Sequence, residues 1–403
     1  MDATLLGGIT MLPQGVSRAP LHLRAGRVSA SAEGRALRVD VRGHRIFPGL
    51  INAHEHLQVN AIPPLRRATP FPNSYAWIDA FQQHFDDADV VAALSVPKAV
   101  RLRHGALKNL LAGTTCVVHH DPWHPALDAE DFPVALLRGH GWSYALGGPG
   151  FGPPVRESYL ATPAGQPWMI HLAEGTDEVA AAELAELDAL GCLGTNTVLI
   201  HGVGFDDADI ERVIARGAAV VWCPGSNLAL LGRTLDPRRL HAAGCLTLGS
   251  DSRLSGRRDL LDELGEASAR GDLPSSALLD LVTTAAARIF RLGLRGSLAT
   301  GAPADIVIVR DRDGLAADSL VGLARRDLRV VVRDGVPCIA DPDFAEWFDA
   351  AGVDAVPVLL DGWPKLIARS LVEHAVFALE PGLDVSLSDH EREAELAMEA
   401  RCH

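Results

Sequence analysis

Short apolar runs, each stopped by a polar or ionisable residue, recur through the middle of this chain: Thr115 to His119, Trp168 to Leu172, Thr197 to His201, Ala218 to Cys223 and Leu246 to Gly249. Apolar runs of that length between turn signals predict strands buried on both faces. The stretches between them predict helices. Asp177 to Leu190 is rich in Ala, Leu and Glu and is closed by Gly191; Asp206 to Arg216 and Pro237 to Ala243 are closed in the same way by Gly217 and Gly244. Strands alternating with helices predict a parallel sheet joined by crossover helices, here a (β/α)8 TIM barrel in the α/β class. Residues 120–167 fit this pattern least. Val134 to Leu137 and Trp142 to Leu146 are the candidates for the third and fourth strands, but Arg138-Gly139-His140-Gly141 is too short to hold a crossover helix. One barrel unit is therefore expected to be reduced.

The two ends of the chain have a different texture. Residues 1–47 alternate short β-like pieces, Leu21 to Leu23 and Leu37 to Val41, with Gly and Pro turns; Gly296 to Val309 and Leu328 to Val332 repeat that character. The expected organisation is a small β-sandwich domain from residues 1–47 plus 294–340, a barrel from 48–293, and a C-terminal extension, 341–403, with no assigned role. The charged tail Asp389 to Arg401 has a helical pattern.

A 48% hydrophobic content over 403 residues supports a large buried interior. The formal net charge of -14 disfavours nucleic acid and anionic lipid as partners and leaves a small molecule as the expected ligand, with a homodimer allowed. No apolar run approaches the roughly 18 residues of a membrane span, and Met1-Asp2-Ala3-Thr4 lacks the basic start of a secretory signal. The six cysteines are scattered without a Cys-x-x-Cys pair, as expected of reduced thiols in the cytoplasm.

The candidate chemistry sits where apolar runs end. Phe47 to His56 closes on His54-Glu55-His56, and side chains at i and i+2 of a strand point the same way, so two imidazoles can reach one metal ion. Glu55 should face the opposite side. His171 ends a run with Glu174 three residues on, His201 ends another, and Asp251 follows Leu246 to Gly249 among small residues. In such barrels functional groups gather at the C-terminal ends of strands. Three histidines and an aspartate suit zinc or ferrous iron with room for a water, whose pKa falls from 15.7 to about 7 on zinc. Glu174 is suited to move protons, and His201 and Asp251 to orient the attacking hydroxide.

These segments resemble the amidohydrolase superfamily, and specifically its cytosine-deaminase-like branch, which includes chlorotriazine hydrolases and S-adenosylhomocysteine and guanine deaminases. The resemblance covers most of residues 1–340. It rests on Pro48 to His56, Gly113-Thr114-Thr115, His171-Leu172-Ala173-Glu174, His201, Cys223 to Asn227, Gly249-Ser250-Asp251 and the close from Gly296 to Val309. It implies a barrel with a flanking β-sandwich. It also implies one divalent metal, Zn2+ or alternatively Fe2+, on His54, His56, His171 and Asp251, with Glu174 as proton shuttle and His201 stabilising the hydroxide or the developing charge. Some relatives bridge two metals with a carboxylated lysine on the fourth strand. Lys98, Lys108 and Lys365 all lie elsewhere, so a single metal is expected.

The expected function is hydrolysis of a non-peptide C-N bond by attack of metal-bound hydroxide, with deamination ahead of amide or cyclic-amide opening. A lyase or isomerase on the same groups is a further reading, and a catalytically silent binding homologue is one of another class. For substrate contacts the candidates are His119, at the end of the second strand, and Tyr75, Trp77 and Trp123, in loops after the first two strands. His120 is read as a plain strand-end residue and Cys223 as buried packing. The glycine-rich segment Gly147 to Pro154 is a candidate hinge over the site.

Overall fold

The computed structural model describes residues 2–385 apart from 13, 33, 35, 66–68, 148–149, 313–315 and 373–375. Within them eight parallel strands follow one another: β1 (Leu50–Glu55), β2 (Thr114–His119), β3 (Ala135–Leu136), β4 (Gly141–Trp142), β5 (Trp168–Leu172), β6 (Thr197–His201), β7 (Ala219–Trp222) and β8 (Leu246–Leu248). They lie in two arcs, β3-β2-β1 and β4-β5-β6-β7-β8, and every ladder is parallel. The arcs meet at β8 and β1, where the Asp251 amide donates to the His54 carbonyl at 3.1 Å. At the other end β3 and β4 are separated by residues 137–140 with no helix, as that length requires. This is a TIM-barrel-like α/β fold.

The helices begin and end where local chemistry dictates. Asp177 and Asp206 cap Glu178–Ala189 and Asp207–Arg216 by accepting from backbone amides in the first turn. Gly217 closes the second at φ 68, a left-handed conformation that a side chain resists. The strands β2, β5, β6, β7 and β8 are buried along their whole length. Each large aliphatic side chain there contributes roughly 1.5–3 kcal/mol relative to exposure. Beneath the strand ends, Ala53, Val118, Met169, Ile200, Val221 and Phe290 form a cluster that fills the barrel below the site.

Both chain ends enter one nine-stranded sheet. Gly15–Ser17 pairs with Ile9–Leu12, which pairs with His44–Pro48, which pairs with Ile306–Arg310, and the sheet continues through Val330–Arg333, Val336–Ala340, Trp363–Ala368, Ala355–Leu360 and Leu383–Val385. A four-stranded sheet from Ala3–Leu6, Leu21–Arg24, Arg27–Ser29 and Leu37–Asp40 lies beside it, bridged between Arg27 and Pro303. Residues 355–385, read from sequence as part of a separate extension, thus share the sheet made by 306–340. Asp389 to Arg401, expected to be helical, lies outside the described residues, as do Gly148 and Pro149 of the expected hinge. No helix among the described residues is long and apolar enough to cross a membrane.

Candidate metal centre

Four strand ends bring the candidate residues together. His54 is on β1 and His56 follows it; His171 is on β5, His201 ends β6, and Asp251 follows β8. The Nε2 atoms of His56 and His171 are 3.2 Å apart, and those of His171 and His54 are 3.3 Å apart. Asp251 Oδ1 lies 3.7 Å from His54 Nε2 and 3.8 Å from His56 Nε2. Ligand atoms of His54, His56 and His171, and of His54, His201 and Asp251, form two groups within 4.8 Å that share His54.

The other ring nitrogens explain why these atoms converge. His56 Nδ1 faces Asp121 Oδ2 at 2.6 Å and His171 Nδ1 faces the Tyr144 carbonyl at 2.8 Å. Both partners are acceptors, so each Nδ1 carries a proton and each ring turns its Nε2 toward the other. Two ring nitrogens 3.2 Å apart repel unless a proton or a metal cation sits between them. A divalent cation fits that place, and the carboxylate and carbonyl partners are the outer contacts that orient ligating histidines. The donor set therefore fits a metal ion.

Without a metal ion, a proton on His56 fills that place. Burial and the neighbouring histidines push His54 well below the usual imidazole range, and burial pushes His171 to about 3. Burial works in the same direction on His56, but Asp121 and Asp251 overcome it and lift His56 to about 9. Burial also raises Asp251, yet His56 and His201 hold it below the ordinary carboxylate range. Its Oδ2 accepts from Ser255 Oγ at 2.7 Å and its Oδ1 from the Ser252 amide at 2.8 Å.

Glu174 Oε1 is 3.4 Å from His201 Nε2, and burial raises its pKa. His201 Nδ1 faces Asn227 Oδ1 at 2.8 Å. The backbone is strained at this rim: Ala173, His201 and Asp251 have φ values of 53, 80 and 55. Non-glycine residues with positive φ are uncommon, and they cluster where function requires an otherwise unfavourable aim.

These groups open into a cavity of about 330 Å³. His56, His171, Glu174, His201 and Asp251 form its floor; Trp77, Ile78, Phe81, Phe85 and Phe151 supply much of its wall. Trp77 and Phe81 stack at 5.7 Å, and Phe81 meets Phe85 edge-on at 5.3 Å. Of the four residues proposed from sequence as substrate contacts, only Trp77 lines this cavity. His119 turns away from it, and its Nδ1 accepts from the Leu57 amide at 3.4 Å. Tyr75 donates to Glu183 and accepts from the Gly147 amide. Trp123 is held on the surface by Asp128 and Arg138.

His120, read as a plain strand-end residue, instead packs against the site, its ring centroid 4.4 Å from that of His171. Sequence reasoning assigned no role to Asp121, Tyr144, Asn227 or Ser255; Asp121 directly follows a strand end and could have been weighed there. Glu55 faces away, as strand alternation predicts, and meets buried Lys108 at 2.7 Å. Cys223 is fully buried and its thiol is raised by that burial.

Comparison with known proteins bears out the resemblance to the amidohydrolase superfamily. Residues 157–356 match the amidohydrolase family. A 5-methylthioadenosine/S-adenosylhomocysteine deaminase of Syntrophobacter fumaroxidans is 32% identical over 163 residues, 36% of this chain and 37% of that protein. A 5'-deoxyadenosine deaminase of Methanoregula boonei is 31% identical over 184 residues, 38% and 41% of the two chains. The match thus spans about two fifths of these curated relatives' length. Among solved structures, a zinc-bound adenosine deaminase from Xanthomonas campestris superposes with a TM-score of 0.68 at 20% identity, covering 94% of this chain and 96% of that one. A mutant of atrazine chlorohydrolase from Arthrobacter aurescens, complexed with zinc and atraton, gives 0.67 at 17% identity over 83% and 94%. These two superpositions share the fold with this chain.

Proposed function

We propose that this protein is a metal-dependent hydrolytic deaminase of a small aminated heterocycle. The observation that carries the reading is the convergence of three imidazole Nε2 atoms and one carboxylate at the end of an apolar cavity. His54, His56, His171 and Asp251 would hold one divalent ion, with Zn2+ ahead of Fe2+, and the deaminase names of the matched relatives support a C-N bond as the target. A divalent ion held there supplies a Lewis acid that makes water nucleophilic near neutral pH.

The protein groups then divide the work. Glu174, raised by burial and 3.4 Å from His201, is placed to take a proton from the attacking water and return it to the departing nitrogen. His201, its Nδ1 proton fixed by Asn227, presents Nε2 to the reacting centre. Ser252 and Ser255 hold both oxygens of Asp251 in place. The aromatic wall favours a flat ring with an apolar substituent over a highly polar chain. We also propose that the two strand arcs close into one (β/α)8 barrel over residues 48–293, flanked by a β-sandwich from both chain ends. The described cysteines are free, in keeping with a cytoplasmic protein.

A panel of aminated heterocycles and N-acyl compounds, assayed for ammonia, tests the reaction. Ammonia with the corresponding hydroxy or oxo product is expected; turnover without ammonia would move the assignment to amide or ring opening. Glu174→Gln should retain the metal and lose turnover by roughly 10²- to 10⁴-fold. Near-normal turnover would remove Glu174 from the mechanism.

A further inference from the structure

The segment after residue 340 ends in a charge network that reaches the site. Glu380 is fully buried, and its carboxylate takes a two-pronged contact from Arg253, at 2.8 Å from Nη1 and 2.6 Å from Nη2. It also meets His104 Nε2 at 2.8 Å and the buried guanidinium of Arg325. Arg253 lies two residues beyond Asp251, between Ser252 and Ser255. Its amide donates to Asn60 Oδ1 at 3.0 Å, and Asn60 Nδ2 in turn donates to the His56 carbonyl at 3.2 Å. The far end of the same turn is tied in as well: the Arg258 carbonyl accepts from Arg253 Nε at 3.0 Å, and Arg258 Nη1 meets Asp361 Oδ2 at 3.2 Å.

We propose that Glu380 is a positioning residue, through which the C-terminal segment holds Arg253 and thereby fixes the turn that aims Asp251, Ser252 and Ser255 at the site. The inference rests on reading Asp251 as a ligand. A fork of two parallel charge-assisted bonds fixes orientation as well as distance. The Asp251 turn gains from such a hold: Asp251 has φ 55, and past Leu248 the turn is tied to its neighbours by isolated backbone bonds, from the Gly249 amide to the Trp222 carbonyl and from the Asp251 amide to the His54 carbonyl. Burial alone would raise the Glu380 carboxyl, yet His104 and Arg253 hold it far below its usual range, so it stays ionised against the two guanidinium groups. This gives residues 355–385 a functional role that the sequence did not reveal.

The test compares Glu380→Gln and Arg253→Met with Lys365→Met. Lys365 bonds Asp341 and the Leu328 carbonyl in the same sheet and has no bond to the Asp251 turn. The clamp variants should weaken zinc binding at least tenfold, lower kcat more than they raise KM, and speed hydrogen exchange of residues 250–258 in the metal-free protein. Lys365→Met should lower Tm without these effects. Arg253→Lys, which keeps charge without the fork, should fall between, and it decides by the same readouts if Arg253→Met does not fold. Zinc affinity and exchange within twofold of the unaltered protein, with Tm lowered as in Lys365→Met, would overturn the proposal. An unaltered protein that binds no zinc would instead overturn the reading of the metal centre, and exchange in the metal-free protein would still judge the clamp.

Discussion

Single residues of this protein place ionisable groups where water cannot help. Glu263 is fully buried; one oxygen accepts from the Gly225 amide at 2.6 Å and the other has no partner. Burial raises its pKa from 4.5 to about 8. The folded protein therefore keeps a proton that the unfolded chain releases above about pH 4.5, and stability falls as pH rises from there to about 8. Glu263→Gln keeps an acceptor for Gly225 and cannot ionise. Thermal melts of both proteins at pH 5 and pH 8 should show the variant gaining relative to the parent as pH rises; a constant difference would deny Glu263 its raised pKa. This carboxyl was not legible in the sequence, where it is one of several acids on an amphipathic helix.

The candidate ligands were legible for the opposite reason. His54, His56, His171 and Asp251 each end an apolar run, and in a parallel barrel a strand end has one address. Their hydrogen-bond partners were not, because Asp121, Tyr144, Asn227 and Ser255 are set by how loops from different strands fold over one another.

At the scale of elements, strand periodicity placed β5 and β6 residue for residue, and the glycine stops placed the helices between them. It misjudged which of two adjacent histidines faces the site, since a strand end that has begun to turn no longer obeys strict alternation. The Lys98–Leu111 helix supports the His56 turn through close backbone contact: a Cβ on Gly105 would overlap the Leu57 carbonyl. Helix propensity alone predicts that Gly105→Ala stabilises by about 1 kcal/mol. The contact with rigid backbone predicts the opposite, a loss of roughly 1–3 kcal/mol as the helix is forced outward. Urea unfolding distinguishes the two by sign, and a stabilised variant would show that the helix can shift at no cost.

For the whole molecule, the proposed metal centre draws its groups from β1, β5 and β8, so an ion bound there should stabilise the arrangement it needs. Binding to the folded state alone adds about 4 kcal/mol at a thousandfold excess of free ion over Kd. Chelation should therefore lower Tm, and zinc should restore it; a Tm indifferent to chelator and zinc would argue against a tight site.

The sequence by itself determined the alternation of strands and helices, the strand-end residues and hence the candidate ligand set, because these follow from local periodicity and from the geometry common to parallel barrels. Only the tertiary structure decided the ring orientations of His56 and His171, the aromatic wall of the cavity, and the path from Glu380 to the Asp251 turn. Each of those depends on contacts between residues distant in the chain, and local pattern carries no record of such contacts.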